Sequence, residues 1–330
     1  MTDLIKNESV GSAQPQNAGG EKRRKRNKYG LTLANVIFIV AFCIVPVLHF
    51  CIFYLFANFR GFLMAFQKPI GYDGDFVWTL DQFRRVFDTL GQGDSELRIA
   101  LKNTFITFGF SLIMFPCSII ISYFLYKQVW GYKTFKVIFY MPHIVSGLVT
   151  SYVFISMVST RGFIAPLIQK WDHLSYLPSL LADSDYANSV VLFHMVWLGL
   201  PGNMILWCGT FARIPTSVLE YGKLDGVGWV RELVQLILPL IWPTFSLLLM
   251  MQFTSIFSAS GAVFLLTQGK WDTQTLSNWF YMQVYNANGD ANTSAYNYMS
   301  AFGMLITVPA CAISLFVRFV LAKLVEDVEY

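Results

Sequence analysis

Charge is what this sequence has least of. Asp, Glu, Lys and Arg make up 13% of its 330 residues, against 55% hydrophobic and 17% aromatic. Soluble domains carry roughly 25% charged residues. Too little polar side chain is present to cover a water-facing surface, so lipid is the expected solvent for much of the chain. Cysteine is sparse too. Cys43, Cys51, Cys117, Cys208 and Cys311 all fall in apolar runs without a CxxC pair. They read as packing residues, not a disulfide frame or a metal site. A Walker A loop is missing: the Gly-Lys pairs Gly222-Lys223 and Gly269-Lys270 are not followed by Ser or Thr, so no phosphate cradle is expected. No Ser/His/Asp spacing or Cys/His constellation stands out, which disfavours a membrane enzyme. Any uphill transport would draw its energy from a separate subunit.

What the chain does have is long apolar runs. Residues 1–30 are polar and then basic, with Lys22, Arg23, Arg24, Lys25, Arg26 and Lys28 clustered just before Leu31. They read as a disordered cytoplasmic tail, and the cluster as a membrane-orientation signal rather than a nucleic-acid patch. Leu31–Phe56 holds no Asp, Glu, Lys or Arg. It is too long for a signal-peptide core and no Ala-x-Ala cleavage site follows. A spanning helix needs about 20 apolar residues, which makes this the first of six spans: 31–56, 103–126, 135–158, 188–211, 240–266 and 298–321. The intervening segments alternate. Those near 57–102, 160–187 and 267–297 hold Asp73, Asp75, Asp81, Asp88, Asp94, Glu96, Asp172, Asp183, Asp185, Asp272 and Asp290. Most Lys and Arg lie near 127–136, 212–239 and the two ends, which predicts both termini in the cytoplasm.

Inside the spans, acids are absent. Carriers driven by protons or sodium need ionisable or oxygen-rich sites at depth. Only His49, His143 and His194 lie there, and each reads as a packed or hydrogen-bonded residue. Pro46, Pro116, Pro142, Pro201 and Pro309 predict kinks, which membrane bundles tolerate. Polar groups in the spans are Asn103, Thr107, Ser111, Asn203, Gln252, Ser255 and Ser258, with Trp197 and Trp207 among the aromatics. Such groups commonly join membrane helices. Uncharged hydrogen-bonding groups beside aromatics also suit a neutral sugar.

Ile214–Pro243 is the most informative stretch. Ser217-Val-Leu-Glu220 fits a capping box, and Pro215 fits a chain entering a helix. Asp225-Gly226 reads as a stop, with Gly able to turn left-handed. Trp229, Leu233, Leu236 and Ile237 then recur at helical spacing, with Arg231, Glu232 and Gln235 as the polar part and Pro239 closing the unit. The expectation is helix, turn, helix, forming a knob on residues 212–239 that docks into a partner.

Here a resemblance enters. Glu220-Tyr-Gly-Lys-Leu-Asp-Gly226, nine residues, then Leu236-Ile-Leu-Pro239 resembles the EAA loop of binding-protein-dependent ABC importer permeases, Glu-Ala-Ala, three residues, Gly, nine residues, Ile-x-Leu-Pro. Asp225-Gly226 and Pro243 resemble the carbohydrate branch. So do Trp197, Pro201, Ile214-Pro215, Thr267-Gln-Gly269 with Thr275, and Leu101-Lys-Asn103-Thr104. Tyr221 and Gly222 replace the two alanines and Leu236 replaces an Ile; a Gly inside a helix costs about 1 kcal/mol against Ala.

The resemblance covers roughly residues 31–325. It implies an all-α integral membrane protein of six helices with the type I importer permease fold, in the bacterial plasma membrane. It implies import of a sugar or oligosaccharide, with a second permease, an ABC ATPase dimer and an extracytoplasmic solute-binding protein as partners. ATP and Mg would bind the ATPase, with no cofactor or metal in this chain. Ser217, Glu220, Tyr221, Gly222, Asp225, Gly226, Leu236 and Pro239 would form the coupling surface. Asn103, Trp197, Asn203, Gln252 and Ser255 are candidates for the substrate pathway. The alternatives are an importer for another solute, such as a polyol or glycerol phosphate, and a non-transporting membrane scaffold or sensor.

Overall fold

A computed structural model describes residues 33–70, 75–171, 173, 179–258, 262–287 and 293–324. The expected tail, 1–30, lies outside the described residues, as do Asp73, Asp172 and Asp290. The chain divides into two units, Met1–Asn58 and Phe59–Tyr330. In the first, α1 (Leu33–His49) passes into a π-helical stretch, Phe50–Phe56; the next element, α2, is Ala57–Met64. His49 lies against Phe53 with ring centres 5.0 Å apart.

In the second unit a hairpin of β1 (Gln67–Ile70) and β2 (Asp75–Trp78) precedes α3 (Asp81–Gln92). Lys68 Nζ donates to Asp81 at 2.9 Å, and this ammonium holds the exposed Asp81 carboxyl below its usual pKa. Three long helices follow, interleaved with short ones. They are α4 (Ser95–Tyr126), α8 (Ser184–Phe211) and α15 (Thr293–Leu324). Asp94 and Asp183 cap α4 and α8, each carboxylate accepting the N–H two residues on at 3.0 Å, which satisfies a free amide and complements the helix dipole.

Two of the expected spans are not single helices. α5 (Tyr132–Ile144) and α6 (Gly147–Val158) meet at 104°. Pro142 has no N–H to give the last turn of α5, and Val145 is extended. The expected span 240–266 also departs. α10 (Trp229–Arg231), a π-helical stretch at Glu232–Ile237 and α11 (Leu238–Leu240) form one arm. It meets α12 (Trp242–Thr254) at 86°. Pro239 and Pro243 straddle the bend at Ile241 and remove two ladder donors. α12 then stops at Thr254, because Ser255 and Ser258 hydroxyls donate back to the carbonyls of Gln252 and Ser255, competing with the ladder. Its 13 residues reach about 20 Å, short of a hydrocarbon core of about 30 Å. The described residues therefore hold four helices long and apolar enough to cross a bilayer, or six spans if each bent pair counts once.

α7 (Ile164–Trp171), α9 (Thr216–Leu224), α13 (Val263–Leu266) and α14 (Leu276–Ala287) complete the set. α4 and α8 run against each other, and small residues allow the approach. Ser118 and Ser122 of α4 are fully buried; Trp207 Nε1 donates to Ser118 Oγ at 3.1 Å, and Ser122 Oγ to the Met204 carbonyl at 3.4 Å. Trp207 itself is fully buried between Phe115 and Phe245. One cluster joins the ends of α4 and α8 to the 214–241 region through Phe115, Tyr123, Phe211, Leu219, Leu233 and Ile237. His194 is buried, with Nε2 3.3 Å from Ser151 Oγ on α6, a packed histidine.

Candidate functional site

α9 begins two residues earlier than the capping-box reading requires. Pro215 is its N-cap residue and no side chain caps it. The expected Ser217–Glu220 box does not form, because a proline with φ −58° already sets the chain entering the helix and Ser217 falls inside the first turn. The other end follows the sequence. Gly226 is left-handed at φ +66°. Its N–H donates to the Lys223 carbonyl at 3.1 Å and the Val227 N–H to the Gly222 carbonyl at 3.0 Å. These two bonds are a Schellman motif, which satisfies the carbonyls at a helix end.

α9 buries one face. Leu219 and Gly222 are buried and spaced by three residues. A Cβ on Gly222 would come 2.8 Å from Leu236 Cδ1, so α9 meets the second arm closely here and any larger side chain has to displace the Leu236 tip. Gly222, Leu236 and Pro239 thus face inward or are half-buried, whereas Ser217, Glu220, Tyr221, Asp225 and Gly226 are exposed. Tyr221 is 69% exposed and Leu224, between the two exposed groups, 82%. Apolar side chains this open beside a carboxylate and a rigid turn form a surface suited to a partner.

The second arm differs from expectation at Glu232. It is buried at 4% exposure, and its carboxylate accepts from Lys127 Nζ at 2.6 Å. Arg231 and Gln235 are exposed. Lys127 closes α4 as its C-cap residue. Beside it Phe124 meets Trp229, ring centres 5.4 Å apart.

A cavity of about 210 Å³ lies between α4, α8 and α12. Thr107, Phe110, Ser111 and Met114 come from α4, Met195 and Asn203 from α8, and Gln252 from α12. Among the described residues, no Asp, Glu, Lys, Arg or His lines it. Gln252 Nε2 donates to Ser111 Oγ across it. The structure so brings Asn203 and Gln252 together with Ser111 and Thr107.

The other three pathway candidates lie elsewhere. Asn103 is buried and its amide nitrogen donates to the carbonyls of Asp272 and Gln274 at 2.6 and 2.9 Å. It holds the 267–275 loop, in which Gln268, Gly269, Trp271 and Asp272 all have positive φ. Trp197 packs on Phe154 and His194. Ser255 ends α12, bonded back to Gln252. Phe110, Met114 and Met195 were not singled out from the sequence, since apolar residues in a membrane helix carry no mark of facing a cavity rather than lipid.

No family model matches the chain. Among curated proteins it is 25% identical over 270 residues to the multiple sugar-binding transport system permease protein MsmF of Streptococcus mutans, covering 81% of this chain and 89% of that protein. It is 27% identical over 180 residues to the sn-glycerol-3-phosphate transport system permease protein UgpA of Shigella dysenteriae, covering 53% and 57%. Over 145 residues it is 28% identical to the maltose/maltodextrin transport system permease protein MalF of Vibrio vulnificus, covering 44% and 27%. Among solved structures, a chain of a bacterial ABC transporter involved in the import of the acidic polysaccharide alginate superposes with a TM-score of 0.72 at 21% identity, covering 88% of this chain and 97% of that one. The fold is that of an ABC importer permease, all-α and integral to the membrane.

Proposed function

We propose that this chain is the membrane-spanning permease subunit of an ABC importer and that it carries a neutral sugar or oligosaccharide. The observation that carries the reading is the knob at 212–239, a short helix locked by its Schellman turn and pressed on a second arm, with Glu220, Tyr221, Leu224 and Asp225 left facing out. In this reading those exposed residues seat in a cleft of an ABC ATPase, which binds ATP and Mg and hydrolyses the nucleotide; this chain has no catalytic role. Closure of the ATPases pushes the knob and swings the attached helices as rigid bodies. The knob and both termini lie in the cytoplasm of a bacterial cell, with a second permease alongside and a solute-binding protein outside.

The neutral-solute part rests on the cavity. Its polar groups are the hydroxyls and amides of Thr107, Ser111, Asn203 and Gln252, beside Phe110. A phosphate or uronate would need a cation there, because an unpaired charge out of water is costly. Among the described residues the lining holds none, which favours a neutral sugar over glycerol phosphate. The test is ATP-dependent uptake into proteoliposomes holding this permease with its partner subunits. A neutral oligosaccharide should be imported and glycerol phosphate refused; the reverse preference overturns the substrate reading.

A further inference from the structure

We propose that Lys127 and Glu232 form a permanent clasp that makes α4 and the second arm of the knob move as one body. The proposal rests on the reading that the knob receives the ATPase stroke. It concerns how that stroke reaches the cavity.

Glu232 is the one acid of the knob that is buried, at 4% exposure. Its carboxylate is held by Lys127 at 2.6 Å. Lys127 caps α4, so its ammonium also sits at the negative end of that helix dipole. One turn earlier, the Tyr123 ring centre lies 5.7 Å from Lys127 Nζ, and the Tyr123 hydroxyl sits beside Glu232. Phe124 grips Trp229, three residues before Glu232. The last turn of α4 therefore holds the arm at two successive points along its axis.

α4 is helical without a break from Ser95 to Tyr126, Pro116 included. Its Ser111 is 16 residues from Lys127, about 24 Å along the helix. Ser111 is also the residue that bonds Gln252 in the cavity, and Gln252 stands on α12, which continues the same arm beyond the bend at Ile241. α4 and the broken fifth span are thus tied twice, once at the knob and once at the cavity. A buried ion pair is often no more stabilising than well-packed apolar residues of the same size, and its best-attested use is to fix register. Fixed register between these helices is what a transmitted stroke needs. Lys127 and Glu232 are positioning residues, since neither lines the cavity.

The test uses the complete importer in proteoliposomes and reads ATP hydrolysed per solute imported. Glu232→Gln should raise that ratio by about tenfold, within the range usual for coupling between sites, while the ATPase still co-purifies in wild-type yield. An unchanged ratio overturns the clasp. A second variant guards against misfolding. In a background with the five native cysteines replaced, Lys127→Cys with Glu232→Cys is joined by a short bis-maleimide. Bridging should return the ratio of this uncoupled variant to the wild-type value. A bridged protein that stays uncoupled, or that stops transporting, overturns the proposal. Failure of the underlying reading looks different: the wild-type permease would then bring down no ATPase at all.

Discussion

Leu236 occupies the space that Gly222 leaves empty. A Cβ on Gly222 would meet Leu236 Cδ1 at 2.8 Å, and the only atom in the way is the tip of a flexible side chain. Two effects then oppose each other for Gly222→Ala. Helix propensity gains about 1 kcal/mol, and the crowding costs about the same or somewhat more. Gly222→Ala should therefore leave the thermal midpoint nearly unchanged and transport intact. Gly222→Leu cannot be accommodated by one rotamer change; it should separate the two arms and lower uptake sharply. Melting curves and uptake rates of the two variants check this.

Gly226 supplies the left-handed residue that ends α9. A β-branched side chain there costs about 1–2 kcal/mol in backbone strain alone, and the turn carrying Asp225 would re-form elsewhere. Gly226→Val should cut uptake while the isolated ATPase keeps its basal activity. Gly226→Asn, which tolerates the left-handed region, should retain most of the uptake. Equal loss in both variants would point to the side chain's bulk against a partner rather than to φ.

Gln252 and Asn103 are both polar residues in apolar helices, and the structure separates their roles. Gln252→Leu removes an amide from the cavity. It should lower the rate of sugar uptake about fivefold, the size of one hydrogen bond, with little change in melting. Asn103→Leu removes the donor that holds the carbonyls of Asp272 and Gln274, a loss of about 0.5–1.5 kcal/mol per hydrogen bond. It should lower the melting temperature and leave the choice between neutral and anionic solutes unaltered. Thermal melts and two-solute uptake assays distinguish the pair.

Legibility in the sequence followed the range of the interaction. The Asp225-Gly226 stop is local: a glycine at the end of an amphipathic run has few other uses, and the turn lies where the spacing puts it. Long apolar runs mark where α4, α8 and α15 lie for the same reason, but each helix starts earlier than its apolar run, α4 by eight residues, because its polar first turns carry no hydropathy signal. Glu232 misled because its partner Lys127 is 105 residues away, so helical periodicity alone assigns it to the polar side. Asn103 misled likewise, since the loop it holds lies 169 residues on. The fifth span misled through short-range chemistry that hydropathy ignores. Pro239, Pro243, Ser255 and Ser258 break an apolar run that by composition alone reads as one helix.

Contact between the knob and a nucleotide-hydrolysing subunit is the claim on which the account turns. A photoreactive amino acid placed at Leu224, 82% exposed on the outer face of α9, tests it in the assembled importer. The account predicts a crosslink from Leu224 to the ATPase and none from buried Leu219, five residues earlier on the opposite face. A crosslink from Leu224 to any other protein, or to lipid alone, contradicts it.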